Sequence, residues 1–269
     1  MFLLFFSCQN QISPSIPPSS TNPSIEWELL LQKAQQKSDD GSILLDYDLI
    51  EENKDILEAF VVWNGTHGPI SEKMTLREAN RKIAFLFNAY NAAVIYGVLE
   101  NNLHKNNKNV LDVSQGFWVS DGAGFFLGQQ FFIDQEWISL FILEQQYILG
   151  TFQDPLLHAG MNCASKGCPP IRFWKEKTLK KDLKKHFENF INSPQGSKNI
   201  DGKWFFSELF QWYEQDFVQW TQEPNLCAYL LTFAEQDDLQ SYLEEQVTYG
   251  CHLEFFEYDW ALNTTKMKN

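Results

Sequence analysis

The stretch IAFLFNAYNAAVIY, residues 83–96, indicates the centre of the fold because it is apolar on nearly every side. A surface helix carries one apolar stripe, whereas a helix that is apolar all round is buried. The helix is predicted to run from Thr75 to Glu100, since Thr75 followed three residues later by Glu78 is the pattern of an N-terminal capping box. The sequence therefore predicts a central buried helix against which the other elements pack.

Two asparagines interrupt this apolar helix. Asn88 and Asn91 are three residues apart, so their side chains share one face of the helix. A buried amide without hydrogen-bond partners costs on the order of 2 kcal/mol, so both must have specific partners. Two interpretations stay open: the amides tie down a neighbouring loop, or they orient a catalytic group or bind a substrate. Both are candidate binding residues.

The segment HAGMNCASKGCPP, residues 158–170, concentrates the reactive side chains of the chain. Its candidate site residues are His158, Asn162, Cys163, Ser165 and Cys168. An apolar segment precedes Cys163, and a loop is expected to begin at that residue. Backbone N–H groups of such a loop can stabilise a thiolate or an oxyanion. The alternative is structural, because two cysteines with four residues between them can close a small-loop disulfide. Spacing alone leaves both interpretations open.

Composition excludes one broad class of function. The chain has 269 residues and a net charge of −14, whereas a nucleic-acid partner requires a basic surface. Helical segments outnumber strands, and strands do not alternate with helices as a parallel sheet would require. We therefore predict an α+β fold, mainly helical, as a single domain over residues 25–265. Its small antiparallel hairpin sheet is expected from strands at 117–119 and 125–133, with a turn at Gly128-Gln129.

The N-terminus resembles a bacterial lipoprotein signal. An apolar run over residues 1–6 precedes Ser7-Cys8, and polar chain follows at once. This pattern predicts a signal over residues 1–8, lipidation of Cys8, and a flexible tether over residues 9–24. The protein would then lie in the bacterial cell envelope, anchored by lipid in a membrane at the periplasmic or outer surface. The alternative is an apolar tail that packs or frays.

Export would make the other cysteines interpretable as disulfides. Without Cys8, four cysteines remain, namely Cys163, Cys168, Cys227 and Cys251, and they allow three pairings. A zinc site is disfavoured, because the Cys-x4-Cys pair has no second pair or His-x3-His partner. We predict no metal and no cofactor.

Six blocks in fixed order resemble the domain of unknown function 547 family over roughly residues 42–263. They are Ala84 to Ala92, Ile138-Ser139-Leu140 with Glu144, Asp154-Pro155 leading to His158, Asn162 to Pro170, Ser207 to Phe217, and Tyr258-Asp259-Trp260-x-Leu262-Asn263. Members of this family occur in exported bacterial proteins. The resemblance implies that Asn88, Asn91, His158, Asn162, Cys163, Ser165, Cys168 and Asp259 are motif positions.

The chain departs from that family pattern at two places. The family commonly has an acidic pair before its Ile-Glu, where this chain has Phe141-Ile142. Many members then carry His after the glutamate, and here that position is Gln145. If that histidine were a general base, this chain would have lost it, whereas a base at His158 would remain.

Three functions are compatible with these residues. The first is an envelope module, structural or binding a small molecule or peptide, in which Cys163 and Cys168 are bridged. The alternative is a cysteine-dependent hydrolase or acyltransferase with Cys163 as nucleophile, a histidine such as His158 as base, and Asn162 or Asp259 orienting the imidazole. A redox pair is the third, although Cys-x4-Cys is not the thioredoxin-like spacing.

Overall fold

The computed structural model describes residues 10–69, 78–114 and 121–266. Cys8, Thr75 and the strand expected at 117–119 lie outside the described residues. The strands are β1 Asn10–Ile12, β2 Gln35–Lys37, β3 Ile43–Leu45, β4 Gln129–Ile133, β5 Glu136–Ser139, β6 Ser197–Ile200, β7 Lys203–Ser207 and β8 Glu254–Phe256. The helices are α1 Ser24–Ala34, α2 Tyr47–Glu52, α3 Lys54–Thr66, α4 Ala79–Glu100, α5 Ala123–Phe126, α6 Leu140–Ile142, α7 Gly150–Phe152, α8 Leu179–Ile191, α9 Glu208–Trp212, α10 Glu214–Gln219, α11 Leu226–Leu231 and α12 Asp237–Tyr249.

Helix α4 is the central element, as its apolar sequence predicts. Every residue from Leu86 to Leu99 is buried, and α3, α6 and α8 pack against it. By length and composition alone, α4 could span a membrane, since its most apolar window has a mean hydropathy of 1.4. However, 83% of that window is buried within the protein. It is therefore a core helix.

Small sheets accompany the helices, which confirms the α+β class. Strand β4 pairs antiparallel with β5 and parallel with β1, so Asn10–Ile12, inside the segment expected to be a tether, completes a sheet. A second three-stranded sheet has the order β6-β7-β8, and β2 pairs with β3.

The predicted hairpin turn at Gly128-Gln129 is wrong. Residues 123–126 form the short helix α5, and the chain reverses instead at Asp134 and Gln135, between β4 and β5. Both residues have positive φ, 46° and 69°, the geometry of a tight hairpin turn. Their backbone N–H groups donate to carbonyls of α3, at Asn64 (2.8 Å) and Gly65 (2.7 Å). Contacts with a distant helix therefore offset the cost of this backbone conformation.

The C-terminal segment returns to the middle of the chain. Asn263 donates its backbone N–H to Ala164 (2.9 Å), and its carbonyl accepts from Leu45 (2.7 Å). Lys166 and Gly167 donate to the carbonyls of Ala261 and Asp259 at 2.8 and 2.9 Å. The segment after β8 is thereby fastened along the cysteine loop.

Candidate functional site

A cleft of about 540 Å³ lies beside the cysteine loop. Its described lining residues are Tyr90, Leu111, Asp121, Gly122, Ala123, Phe126, Leu127, Phe141, Glu144, Gln145, His158, Met161, Cys163, Cys168, Leu209, Trp212, Tyr213, Tyr258 and Trp260. They come from α4, α5, α6 and the π-helical segment after it, α9, the cysteine loop, the C-terminal segment and the 3₁₀ turns at Val110–Asp112 and Pro155–Ala159. The volume is suited to a small molecule.

Glu144 reaches the cleft from a π-helical turn. Ser139 begins the helix by accepting the N–H of Ile142 (3.3 Å), and residues 143–149 then continue as a π-helix. The wider π-helical turn is rare in proteins, and where it occurs it is often found at a functional site. The π geometry of residues 143–149 is not evident from the sequence.

Two phenols hold the Glu144 carboxylate. Tyr90 donates to Oε2 and Tyr213 donates to Oε1, each at 3.0 Å. Burial raises the pKa of Tyr90 well above its usual value, and the charge of Glu144 does the same for Tyr213. Both phenols thus stay protonated at neutral pH and act as donors. Gln145, which replaces the histidine common in the family, donates to Oε1 at 3.1 Å.

His158 is paired with an aspartate that the sequence did not single out. It lies on a 3₁₀ turn, Pro155–Ala159, which begins where the Asp154 side chain accepts the N–H of Leu156 (3.0 Å). The residue is 4% exposed, and its Nε2 lies 3.0 Å from Oδ2 of Asp216. The ring of Tyr213 packs on the imidazole with 4.0 Å between centroids. The sequence contains no signal for this pairing, because 58 residues separate the two side chains.

Asp259 does not orient this imidazole. It is exposed, and its side chain accepts the N–H of Ala261 (2.9 Å), which fixes a turn in the C-terminal segment. Asn162 is also engaged elsewhere: its Nδ2 donates to the Pro169 carbonyl (2.8 Å) and its Oδ1 accepts the N–H of Ala164 (2.9 Å). Asp216, and neither Asn162 nor Asp259, is the residue that hydrogen-bonds the His158 imidazole.

The two asparagines of α4 bind the backbone of neighbouring segments. Asn91 donates to the Gly160 carbonyl (3.0 Å) and accepts the N–H of Asn162 (2.9 Å). Asn88 donates to the Trp174 carbonyl and accepts the Trp174 N–H, both at 2.8 Å. Neither belongs to the described lining of the cleft, so both tie down loops.

Cys163 and Cys168 are joined by a disulfide, with 6.3 Å between their Cα atoms. Ser165 Oγ lies 3.0 Å from Cys163 Sγ and donates to the Tyr258 hydroxyl at 3.0 Å. That hydroxyl donates to Cys168 Sγ at 3.1 Å. Gly167 lies against the Tyr258 ring, since an added Cβ would come within 2.8 Å of Cε2. The sulfurs therefore lie in a polar, hydrogen-bonded pocket at the cleft surface.

One cluster outside the cleft has potential metal ligands. Asp48, Glu51 and His104 place one ligand atom each within 4.8 Å of one another. However, Lys105 lies 2.6 Å from Glu51, and Lys266 lies 2.8 Å from Asp48. These ammonium groups already neutralise the carboxylates, so the cluster is explained by ion pairing.

Comparison with known proteins places part of the chain in a family. Residues 74–191 match the model of a family described as "Protein of unknown function, DUF547". The matched range contains Glu144, His158 and both cysteines of the cleft. No curated protein and no solved structure matches the chain.

Proposed function

From the geometry of the cleft we propose that this chain, of which residues 74–191 match the DUF547 family model, binds a small organic cation with an apolar body. The observation that carries the proposal is the Glu144 carboxylate, which is held between two neutral phenols on the wall of an aromatic cleft. The cysteine loop supports one side of that cleft.

The charge of the cleft favours a cationic ligand. The described lining contains two carboxylates, Asp121 and Glu144, and neither Lys nor Arg. The whole chain carries a net charge of −14, which adds a long-range attraction for cations. An anionic ligand would meet repulsion from both sources.

Aromatic rings supply the surface for the body of the ligand. Trp212 lies 4.9 Å from Tyr258 and 5.9 Å from Trp260 between ring centroids, and Tyr258 lies 4.8 Å from Trp260. Trp212 and Phe141 are 47% and 44% exposed, so both side chains are accessible to a ligand in the cleft. A cation over such rings gains about 0.5–2 kcal/mol for each favourable contact.

Glu144 retains capacity for a ligand. A carboxylate offers about four acceptor sites, and the protein supplies three donors, from Tyr90, Tyr213 and Gln145. The two phenols also fix the position of the carboxylate before a ligand arrives, which reduces the entropy lost on binding.

Calorimetry with benzylamine and benzyl alcohol tests the proposal, since the two probes share a ring and differ in charge. Benzylamine is expected to bind. Benzyl alcohol is expected to bind at least about tenfold more weakly, which is a difference of about 1.4 kcal/mol in binding free energy. Glu144→Gln should remove the preference for the amine. Glu136→Gln is the matched control, because Glu136 also accepts a tyrosine hydroxyl (from Tyr147, 2.9 Å) but lies outside the cleft. Equal affinity for both probes in the unaltered protein would overturn the proposal.

The proposed location is the bacterial cell envelope, with a lipid anchor on Cys8. Two features support it: the lipoprotein-like N-terminal sequence and the pair of disulfides, Cys163–Cys168 and Cys227–Cys251. Disulfides persist in oxidising compartments and are rare in the cytosol. A binding module anchored there would meet ligands from outside the cell or from the periplasm.

A second candidate function is a cysteine-dependent hydrolase or acyltransferase. It is favoured by one observation, namely that Cys163 and His158 both line the cleft, and the His158 ring is paired with Asp216. The disulfide must first be reduced, because only a thiolate is a nucleophile. With reduced protein and p-nitrophenyl acetate, this function predicts a burst of one nitrophenolate per chain that Cys163→Ser abolishes and His158→Gln slows about tenfold or more. Release without a burst would exclude it.

A further inference from the structure

The two disulfides of the protein lie in different surroundings. Cys163 and Cys168 both line the cleft, and Cys163 is the more exposed of the two. Cys227 is fully buried, and the Cys227–Cys251 bridge is absent from the described lining of the cleft. A small molecule in the cleft therefore contacts one bridge and not the other.

Hydrogen bonds hold the loop that the Cys163–Cys168 bridge closes. Asn162 links both ends of the loop through Ala164 and Pro169, and Asn263 donates to Asn162 Oδ1 at 3.2 Å. The C-terminal segment adds backbone hydrogen bonds to Lys166 and Gly167. The bridge spans a sequence separation of only 5, so it removes less chain entropy than the 24-residue separation of Cys227–Cys251. The loop should keep its form when the bridge opens.

Hydrogen-bond donors converge on Cys168. Its Sγ accepts the backbone N–H of Cys163 at 2.9 Å and the Tyr258 hydroxyl at 3.1 Å. Burial raises the pKa of Tyr258, so the phenol keeps its proton and remains a donor. Donors aimed at a sulfur stabilise it as a thiolate, and a stable thiolate is a good leaving group in disulfide exchange.

We propose that Cys163–Cys168 is a redox-active disulfide that exchanges with a dithiol entering the cleft. A thiolate of the dithiol attacks Sγ of Cys163, the more exposed of the two cysteines, and forms a mixed disulfide. The Cys163–Cys168 bond breaks, and its electron pair goes to Cys168, which leaves as a thiolate held by Tyr258 and the Cys163 N–H.

The second thiol of the dithiol then displaces Cys163. The dithiol is oxidised to a disulfide, and its two protons end on the two cysteines, so atoms and electrons balance. This activity goes beyond cation binding and does not depend on it, because it uses the sulfurs and Tyr258 and leaves Glu144 unused.

The test is reduction of the folded, full-length protein by graded dithiothreitol, followed by alkylation and mass spectrometry of each cysteine. Cys163 and Cys168 are expected to be labelled at concentrations at least about tenfold below those needed for Cys227 and Cys251, with an unchanged circular dichroism spectrum. Simultaneous opening of both bridges, or opening only with loss of structure, would overturn the proposal.

A matched pair of variants tests the role of the leaving group. Tyr258→Phe keeps the ring against Gly167 and removes the donor to Cys168. It should slow reduction of the cleft bridge about tenfold, the effect of losing one hydrogen bond of roughly 1.4 kcal/mol, and leave Cys227–Cys251 unchanged. Tyr242→Phe, a partly buried tyrosine outside the described cleft lining, should change neither rate. An unchanged rate in Tyr258→Phe would exclude the proposed leaving group.

Discussion

The side-chain oxygen of Asn91 accepts the backbone N–H of Asn162 at 2.9 Å, which joins the core helix α4 to the residue preceding Cys163. The amide of the same side chain donates to the Gly160 carbonyl at 3.0 Å. One buried side chain thus satisfies two backbone groups that would otherwise lie unpaired in the core. The position of the cysteine loop is therefore set by the buried central helix α4.

Asn91→Ala should destabilise the protein by about 3 kcal/mol, because it leaves the N–H of Asn162 and the carbonyl of Gly160 without partners. Urea unfolding followed by circular dichroism measures the loss. Asn106→Ala, at an exposed position after α4, is the control and should stay within about 0.5 kcal/mol of the unaltered protein. Equal stability of the two variants would contradict the role assigned to Asn91.

Glu144→Gln should lower the pKa of Tyr213, since the largest cause of its raised value is the neighbouring carboxylate charge. Burial is the largest cause for Tyr229, so its pKa should stay high in the same variant. The ionisation of the tyrosines is measured by absorbance at the phenolate band. The titration runs from pH 9 upward under conditions where the protein stays folded. At least one additional phenol should ionise at lower pH in the variant, since the Glu144 charge also raises the pKa of Tyr90. Superimposable titration curves would show that Glu144 does not act on Tyr213.

His186 should make the protein less stable in acid. Burial lowers the pKa of this imidazole to about 4, and its Nε2 lies 2.8 Å from the Pro170 carbonyl. Between about pH 6.5 and 4 the unfolded chain binds the proton and the folded protein does not, so the free energy of unfolding falls as pH falls. His186→Gln should remove this pH dependence. Between pH 7 and 4.5 the free energy of unfolding should therefore fall by about 2–3 kcal/mol more in the unaltered protein than in the variant.

The control for that measurement is His252→Gln, at an exposed position. Carboxylates titrate in the same pH range, and the control carries the same carboxylates as the His186 variant. The control should therefore follow the unaltered protein. A pH dependence that is identical in all three proteins would show that His186 is not buried as a neutral imidazole.

Cys8→Ser should abolish incorporation of a fatty acid, since the proposed anchor is an acyl group on that cysteine. Expression of the full-length chain in bacteria with a labelled fatty acid, followed by gel analysis, measures the incorporation. Cys227→Ser is the control and should keep the label, because its sulfur is bound to Cys251. Equal label in the Cys8 variant and the unaltered protein would exclude the anchor.

The central helix and the fold class could be predicted from the sequence. The buried helix α4 follows from a run of apolar residues, and the α+β class follows from the order of helices and strands. The hairpin turn could not be placed, because Asp134 and Gln135 adopt positive φ through hydrogen bonds to α3. The sequence favoured Gly128-Gln129 instead, since glycine is the residue most often found at positive φ.

The site was predicted only in part. His158, Cys163, Cys168 and Glu144 were all singled out and all line the cleft. The roles expected for Asn162 and Asp259 were not found, because both side chains are engaged with nearby backbone N–H groups. Short polar side chains often bind local backbone in this way, and a sequence pattern does not distinguish that use from catalysis.

The sequence by itself determined the properties that are local or additive along the chain: the net charge, the buried central helix and the short spacing of two cysteines. Only the tertiary structure decided which groups meet. Asp216 reaches His158 across 58 residues, Tyr90 reaches Glu144 across 54, and Tyr258 reaches Cys168 across 90. Such contacts depend on how helices and loops pack around the core, and the packing depends on the whole chain at once.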